Sequence, residues 1–228
     1  MNKALRKIVG NKRVVAVIPA YNEEKHIGDV VRETKKFVDE VIVVDDSSKD
    51  NTEKFAMGAG AVVLRHVINL QKGGALKTGC EAAITLGADI IITLDGDGQH
   101  DPNEIFSLLR KLKKYDLVIG ARKFNKNMPL NSRVGNRFLT WLSQLLFRNK
   151  ITDSQTGYRA FNANIYPKIT WESTDYGIET EMIKNISKHN ISHAEVEVKT
   201  IYNDNYKGTT PFDGLKILAN MISWRVKG

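Results

Sequence analysis

Five short runs dominated by Val, Ile, Leu and Ala, at residues 14–18, 41–44, 61–64, 90–94 and 117–119, constrain this chain more than any other feature. Each is apolar almost without interruption, as strands are when both faces are covered. Between them, residues 23–38, 51–58, 74–86 and 102–114 show helical periodicity, the last opened by an Asp101-Pro102 cap and N1 proline. This alternation predicts an α/β fold with a mostly parallel central sheet and helices on both faces. With 228 residues, 42% hydrophobic, no repeat of fixed period and no Gly/Ser-rich linker, the chain reads as one domain over residues 1–228.

Ligands of such sheets bind beyond the carboxyl ends of the strands, near the point where strand order reverses. Three polar clusters fall at predicted strand ends: Pro19-Ala20-Tyr21-Asn22-Glu23, Asp45-Asp46-Ser47-Ser48 and Asp95-Gly96-Asp97-Gly98-Gln99-His100. Carboxylates converging on one sheet edge repel one another unless a cation or a set of donors compensates. In an extended segment the side chains at positions i and i+2 point the same way, so Asp95 and Asp97 can address one pocket, and Gly96 lets a ligand approach the backbone. Hard oxygen donors of this kind suit Mg²⁺ or Mn²⁺, with substrate phosphates completing the shell. No Gly-x-x-x-x-Gly-Lys-Ser/Thr loop is present and no Gly-x-Gly-x-x-Gly follows the first strand, which weighs against P-loop and dinucleotide readings.

Taken in order, Pro-Ala-Tyr-Asn-Glu-Glu at 19–24, Val-Val-Asp-Asp-Ser-Ser at 43–48, Lys-Gly-Gly-Ala-Leu-Lys-Thr-Gly at 72–79, Asp-Gly-Asp-Gly-Gln-His at 95–100 and Thr-Asp-Ser-Gln-Thr-Gly-Tyr-Arg-Ala-Phe at 152–161 resemble the motifs of family 2 glycosyltransferases. The likeness is greatest to the dolichol-phosphate mannose synthase and polyprenyl-phosphate glycosyltransferase branch, and runs from about residue 14 to residue 200. The resemblance implies a nucleotide-diphospho-sugar transferase (GT-A type) domain and inverting transfer of a hexose from a GDP-mannose- or UDP-glucose-type donor to dolichyl or polyprenyl phosphate. It implies that Pro19, Tyr21, Glu23, Val44 and Asp46 hold the nucleoside. Lys72, Asp95, Gly96, Asp97, Gln99 and Arg122 then hold the rest of the donor. Asp97 and Gln99 are the implied ligands of Mg²⁺ or Mn²⁺; Arg122, Arg133 and Arg159 are implied around the acceptor phosphate; and Asp97, Arg122 and Arg159 are the implied catalytic set. A phosphate monoester is already mostly ionised near neutral pH, with a second pKa of about 6, so such an acceptor needs no general base.

Two later stretches suit a lipid acceptor. Residues 131–150 place Val134, Phe138, Trp141, Leu142, Leu145 and Leu146 at helical spacing beside Arg133, Arg137, Arg148 and Lys150. Residues 213–228 repeat the pattern with Leu215, Ile217, Leu218, Met221, Ile222 and Trp224 beside Lys216, Arg225 and Lys227. Each reads either as a core helix or as a helix lying in a membrane interface. No apolar stretch reaches the roughly 18–20 residues of a membrane span. The lone Cys80 and an N-terminus without a signal-peptide core point to the cytoplasm, with peripheral attachment to the cytoplasmic membrane face. A net charge of +8 implies an anionic partner. The alternatives are a glycosyltransferase acting on a soluble or protein-linked sugar hydroxyl and, more distantly, a basic nucleic-acid-binding protein. The first requires a carboxylate base that the sequence does not single out; the second lacks any nucleic-acid signature, so no nucleic-acid partner is expected.

Overall fold

The computed structural model describes residues 3–122, 130–201 and 211–227. Strands β1 (Val14–Ala20), β2 (Glu40–Asp45), β3 (Val62–Arg65), β4 (Ile90–Thr93), β5 (Leu117–Arg122), β6 (Arg159–Asn162) and β7 (His193–Val198) form one sheet in the order β3-β2-β1-β4-β6-β5-β7. Every pairing is parallel except the two made by β6. The helices are α1 (Lys3–Val9), α2 (Ile27–Thr34), α3 (Thr52–Gly58), α4 (Gln71–Thr85), α5 (Ile105–Leu112), α6 (Leu130–Phe147), α7 (Tyr166–Ile169), α8 (Ile178–Lys188) and α9 (Pro211–Lys227).

The unbroken apolar runs are explained by two cores, one on each face. Along β1, Val14, Ala16 and Ile18 enter one core while Val15 and Val17 enter the other. Each fully buried Val or Ile contributes about 1.5–3 kcal/mol, so a sheet covered on one side only would waste half of each run. Helix α4 crosses β1 so closely that a Cβ on Gly79 would stand 2.3 Å from Val17 Cγ1, which is why a helix interior carries a glycine there. The chain runs outward from β1 through β2 to β3, then resumes on β1's other side with β4. That reversal opens the sheet's carboxyl edge between β1 and β4.

The five predicted strands and four predicted helices are all present, with shifted ends. Helix α2 begins at Ile27 rather than at 23, because Glu23 and Glu24 donate their backbone N–H groups to Thr52 Oγ1 and Asp50 Oδ2 across the β2–α3 loop. Helix α4 begins at Gln71, which places Lys72 inside its first turn and not in a preceding loop. The 102–114 segment opens as a 3₁₀ turn at Pro102–Glu104, its first turn capped by Asp101 accepting from Asn103 N, before α5. Strands β6 and β7 were not among the expected elements.

The two amphipathic segments are α6 and α9, packed on each other through Leu139, Ile217 and Met221 with Leu142, Leu146, Phe147 and Trp224 around them. The side chain of Lys227 and residue 228 lie outside the described residues. Helix α6 also buries Asn136, Thr140 and Ser143 while Val134, Phe138, Trp141 and Leu145 are between 49% and 60% exposed. Its inner face is thus partly polar and its outer stripe, at spacings of four, three and four, is apolar. On α9, Leu215 and Ile222 are exposed as well. No helix among the described residues is long and apolar enough to cross a membrane.

Candidate active site

The three polar clusters meet at the carboxyl edge of β1, β2 and β4 around a cleft of about 580 Å³. The chain leaves β1 and β2 through Asn22 and Ser47, both in the left-handed backbone region, with φ of 54° and 66°. These turns are tied together: Asn22 N donates to Ser48 Oγ at 2.9 Å and Lys49 N to Asn22 Oδ1 at 2.8 Å. Eight of the expected residues line the cleft: Pro19, Tyr21, Glu23, Asp46, Lys72, Asp95, Gly96 and Asp97.

Asp95 is held from two sides. Lys72 Nζ stands 2.7 Å from its Oδ1 and 2.9 Å from Glu179 Oε1, in the first turn of α8. Burial pulls the Lys72 pKa down, but the two carboxylates outweigh it and hold the ammonium above its usual range. Burial likewise works to raise Asp95, and the Lys72 ammonium, through its charge and its hydrogen bond, reverses this to a net lowering. His100, stacked on Tyr158, is pushed down to about 4 by burial and accepts Asp95 N–H at Nδ1 (3.1 Å), so it is neutral. Asp97 is raised to about 6, first by burial and then by the Asp95 carboxylate. One carboxylate of the pair is therefore charge-compensated by a cation at hydrogen-bond distance, and the other has neutral donors only.

Gln99 donates to Asp97 through its backbone N–H (3.0 Å) and Nε2 (2.6 Å). Among the described residues no group of three or more His, Cys, Asp or Glu is arranged to hold a metal by itself. The donor set still fits Mg²⁺ or Mn²⁺, because an uncompensated carboxylate beside a second one is the partial oxygen shell that these ions complete with phosphates and water.

The remaining expected residues sit off the cleft wall. Val44 is fully buried in the core, against Gly79. Arg122 grips fully buried Asp153 in a fork, Nε to Oδ2 at 2.7 Å and Nη2 to Oδ1 at 2.9 Å. Arg133 is half-buried on α6. Arg159 is 1% exposed and directs its guanidinium to the backbone oxygens of Thr156, Ser154 and Glu179, which makes it a support beneath the site. Burial lowers its pKa to about 10.

Sequence reasoning missed Glu179, Asp153, His66 and the far wall of the cleft, Asp175, Tyr176 and Asp213. Glu179 and Glu181 carry the signature of acidic residues in a helix's first turn, which is an ordinary dipole-complementing pattern and marks no site.

The sequence profile described as glycosyl transferase family 2 matches residues 15–170. The chain belongs to that family. It is a glycosyltransferase, and its sheet has the GT-A arrangement. Among similar proteins, UDP-N-acetylglucosamine–dolichyl-phosphate N-acetylglucosaminyltransferase of Methanococcus voltae is 34% identical over 94% of this chain and 96% of its own length. Undecaprenyl-phosphate mannosyltransferase of Micrococcus luteus is 31% identical over 75% of this chain and 76% of its own. Glucosyl-3-phosphoglycerate synthase from Mycobacterium tuberculosis, crystallised with Mg²⁺ and uridine diphosphate, superposes with a TM-score of 0.77 over 97% of this chain and 82% of its own, at 19% identity. That likeness concerns the fold.

Proposed function

We propose that the protein transfers one sugar from a nucleotide-diphospho-sugar to a polyprenyl (dolichol-type) phosphate, with inversion and with Mg²⁺ or Mn²⁺. The observation that carries the reading is the cleft itself, where the strand-end clusters of β1, β2 and β4 converge on one compensated and one uncompensated carboxylate. Relatives acting on dolichyl and undecaprenyl phosphate supply the acceptor class.

In this reading the nucleoside lies between Tyr21 and Asp46, Lys72 meets the diphosphate, and Asp97 with Gln99 holds the metal. The ion, when bound, neutralises charge on the departing nucleoside diphosphate. The acceptor phosphate needs no base, only orientation behind the anomeric carbon, for which Arg122 in its Asp153 fork and Arg133 are the cationic candidates. The apolar outer stripe of α6 supports peripheral attachment to a membrane surface, since a polyprenyl tail stays in the bilayer. The second reading, transfer to a sugar hydroxyl, draws support from Asp175 and Asp213 on the cleft wall, either of which offers the base such chemistry requires.

The deciding experiment offers labelled GDP-mannose, UDP-glucose and UDP-N-acetylglucosamine with polyprenyl phosphate or soluble sugar acceptors. Label entering an acid-labile lipid fraction supports the first reading; label entering only soluble sugars supports the second.

A further inference from the structure

Strands β2 and β3 align Asp45 with Arg65, and His66 N donates to Asp45 O at 2.9 Å, so the next residue on each strand, Asp46 and His66, remain neighbours beyond the sheet. There His66 Nδ1 stands 2.7 Å from Asp46 Oδ1, and His66 Nε2 stands 3.0 Å from Thr78 Oγ1 on α4. The side chains of His66 and Asp46 are 11% and 4% exposed. Leu70 N–H donates to the same Oδ1 at 2.8 Å. Among the described residues both donors meet Oδ1 and none meets Oδ2, although Asp46 lines the cleft.

We infer that His66 is a positioning residue for the donor site: with Thr78 it locks Asp46 so that Oδ2 faces the cleft as an acceptor for an N–H or O–H of the nucleoside. The Asp46 carboxylate, an acceptor only, places a hydrogen on Nδ1, and Thr78 Oγ1 holds the ring from its other side at Nε2. That hydrogen and the Leu70 N–H both occupy Oδ1, so the carboxylate has one orientation and one face left for ligand. The gain is preorganisation, because a carboxylate already fixed loses no further rotational freedom when the nucleoside arrives. The inference rests on the reading of Asp46 as a nucleoside contact, and the experiment separates the two.

Dissociation constants for UDP and GDP in the presence of Mg²⁺ are measured by calorimetry on wild-type protein, Asp46→Asn, His66→Ala, His66→Asn, His66→Gln and the Asp46→Asn/His66→Ala pair, together with donor and acceptor KM. The nucleotide that binds wild type is the probe. His66→Ala is expected to weaken it about tenfold, raising donor KM and leaving acceptor KM and kcat unchanged. Asn places an amide N–H where Nδ1 stood and retains near wild-type affinity, whereas Gln reaches the Nε2 position, loses Asp46 and behaves like Ala. A purely structural role would not sort Asn from Gln in this way. Because His66 acts through Asp46, adding His66→Ala to Asp46→Asn changes affinity less than twofold. If Asp46→Asn weakens binding while His66→Ala does not, or if the two losses add in full, the positioning role is wrong and the cleft assignment stands. If Asp46→Asn leaves binding unchanged, both fall. Should His66→Ala not fold, the Asn–Gln comparison decides alone.

Discussion

Lys72 Nζ is shared between Asp95 and Glu179 at 2.7 and 2.9 Å, so one ammonium in the first turn of α4 ties the end of β4 to the start of α8. Its side chain is 17% exposed and that of Glu179 is 5% exposed. Removing one member of a buried ion pair leaves an uncompensated charge, a loss of about 3 kcal/mol. Lys72→Met should therefore destabilise the protein by about that much in denaturant unfolding and should abolish donor binding. Adding Glu179→Gln should restore part of the stability and none of the binding, since the orphaned carboxylate is gone while Asp95 remains uncompensated. Equal stability of the single and double variants would mean that Glu179 is solvated and takes no part.

Gly157 gives the same pair its room. A Cβ there would stand 2.9 Å from Lys72 Nζ and 3.0 Å from Asp95 Oδ1, and Gly157 O is fixed by Thr93 Oγ1 at 2.7 Å. The neighbours are ends of flexible side chains, so Gly157→Ala should fold with a nearly unchanged melting temperature. The Lys72–Asp95 contact must shift, however, and a displacement of that size at a binding site costs on the order of tenfold or more in kcat/KM. Unimpaired transfer by this variant would show that the pair has slack.

The strand-end clusters were readable because β1, β2 and β4 are buried on both faces and so announce themselves as apolar runs whose ends are unmistakable. Strand β6 was not readable: its four residues begin with Arg159, a cation that sequence logic assigns to a ligand and the fold assigns to three backbone oxygens. Strand β7, His193–Val198, pairs along one side only and carries Glu195 and Glu197 between apolar positions, which hides it among surface segments. The partners of Lys72 and Arg122 lie more than a hundred and about thirty residues away in sequence, at Glu179 and Asp153, and no local pattern points to them. The same holds for His66, whose nearness to Asp46 depends on the register of β2 with β3.

Metal removal tests the uncompensated carboxylate. Transfer should vanish in EDTA and return with Mg²⁺ or Mn²⁺, and Asp97→Ala should remain inactive in either ion while unfolding at a wild-type denaturant concentration. Asp97 lines the cleft and is only partly buried there, so its loss removes a cleft-facing group and, besides that, only its two bonds from Gln99 in the same loop. Full wild-type activity in EDTA would refute the metal outright.

Arg122 and Arg159 should fail in different ways. Arg122 is 11% exposed at the side chain and pairs with fully buried Asp153, so Arg122→Ala alone orphans that carboxylate at a cost of about 3 kcal/mol, whereas Arg122→Ala with Asp153→Asn removes the orphan and should raise acceptor KM far more than it weakens nucleoside diphosphate binding. Arg159 is fully buried and bound to backbone oxygens, so Arg159→Ala leaves those acceptors without their donor around a cavity and should lower stability by about 3 kcal/mol, before any kinetic effect can be isolated. Calorimetry that finds nucleotide affinity lost in parallel with acceptor affinity for Arg122→Ala/Asp153→Asn would move Arg122 to the donor side.

The outer stripe of α6 makes the membrane reading testable without an activity assay. Phe138 and Trp141 are 49% and 56% exposed with ring centroids 6.1 Å apart, while the helix is anchored inward by Leu139, Asn136, Thr140 and Ser143. Replacing the two aromatics by Ser therefore removes surface and leaves the packing with α9 intact. Basic residues near an anionic surface contribute about 1 kcal/mol each, a contribution that salt weakens, whereas inserted aromatic rings contribute a hydrophobic part that salt does not remove. Wild-type protein should cosediment with anionic liposomes, release only partly at high salt, and lose most of the salt-resistant fraction in Phe138→Ser/Trp141→Ser at an unchanged melting temperature. If wild-type protein stays in the supernatant at low salt while a short-chain, water-soluble prenyl phosphate is still glycosylated, the acceptor assignment survives and the stripe on α6 serves something other than the bilayer.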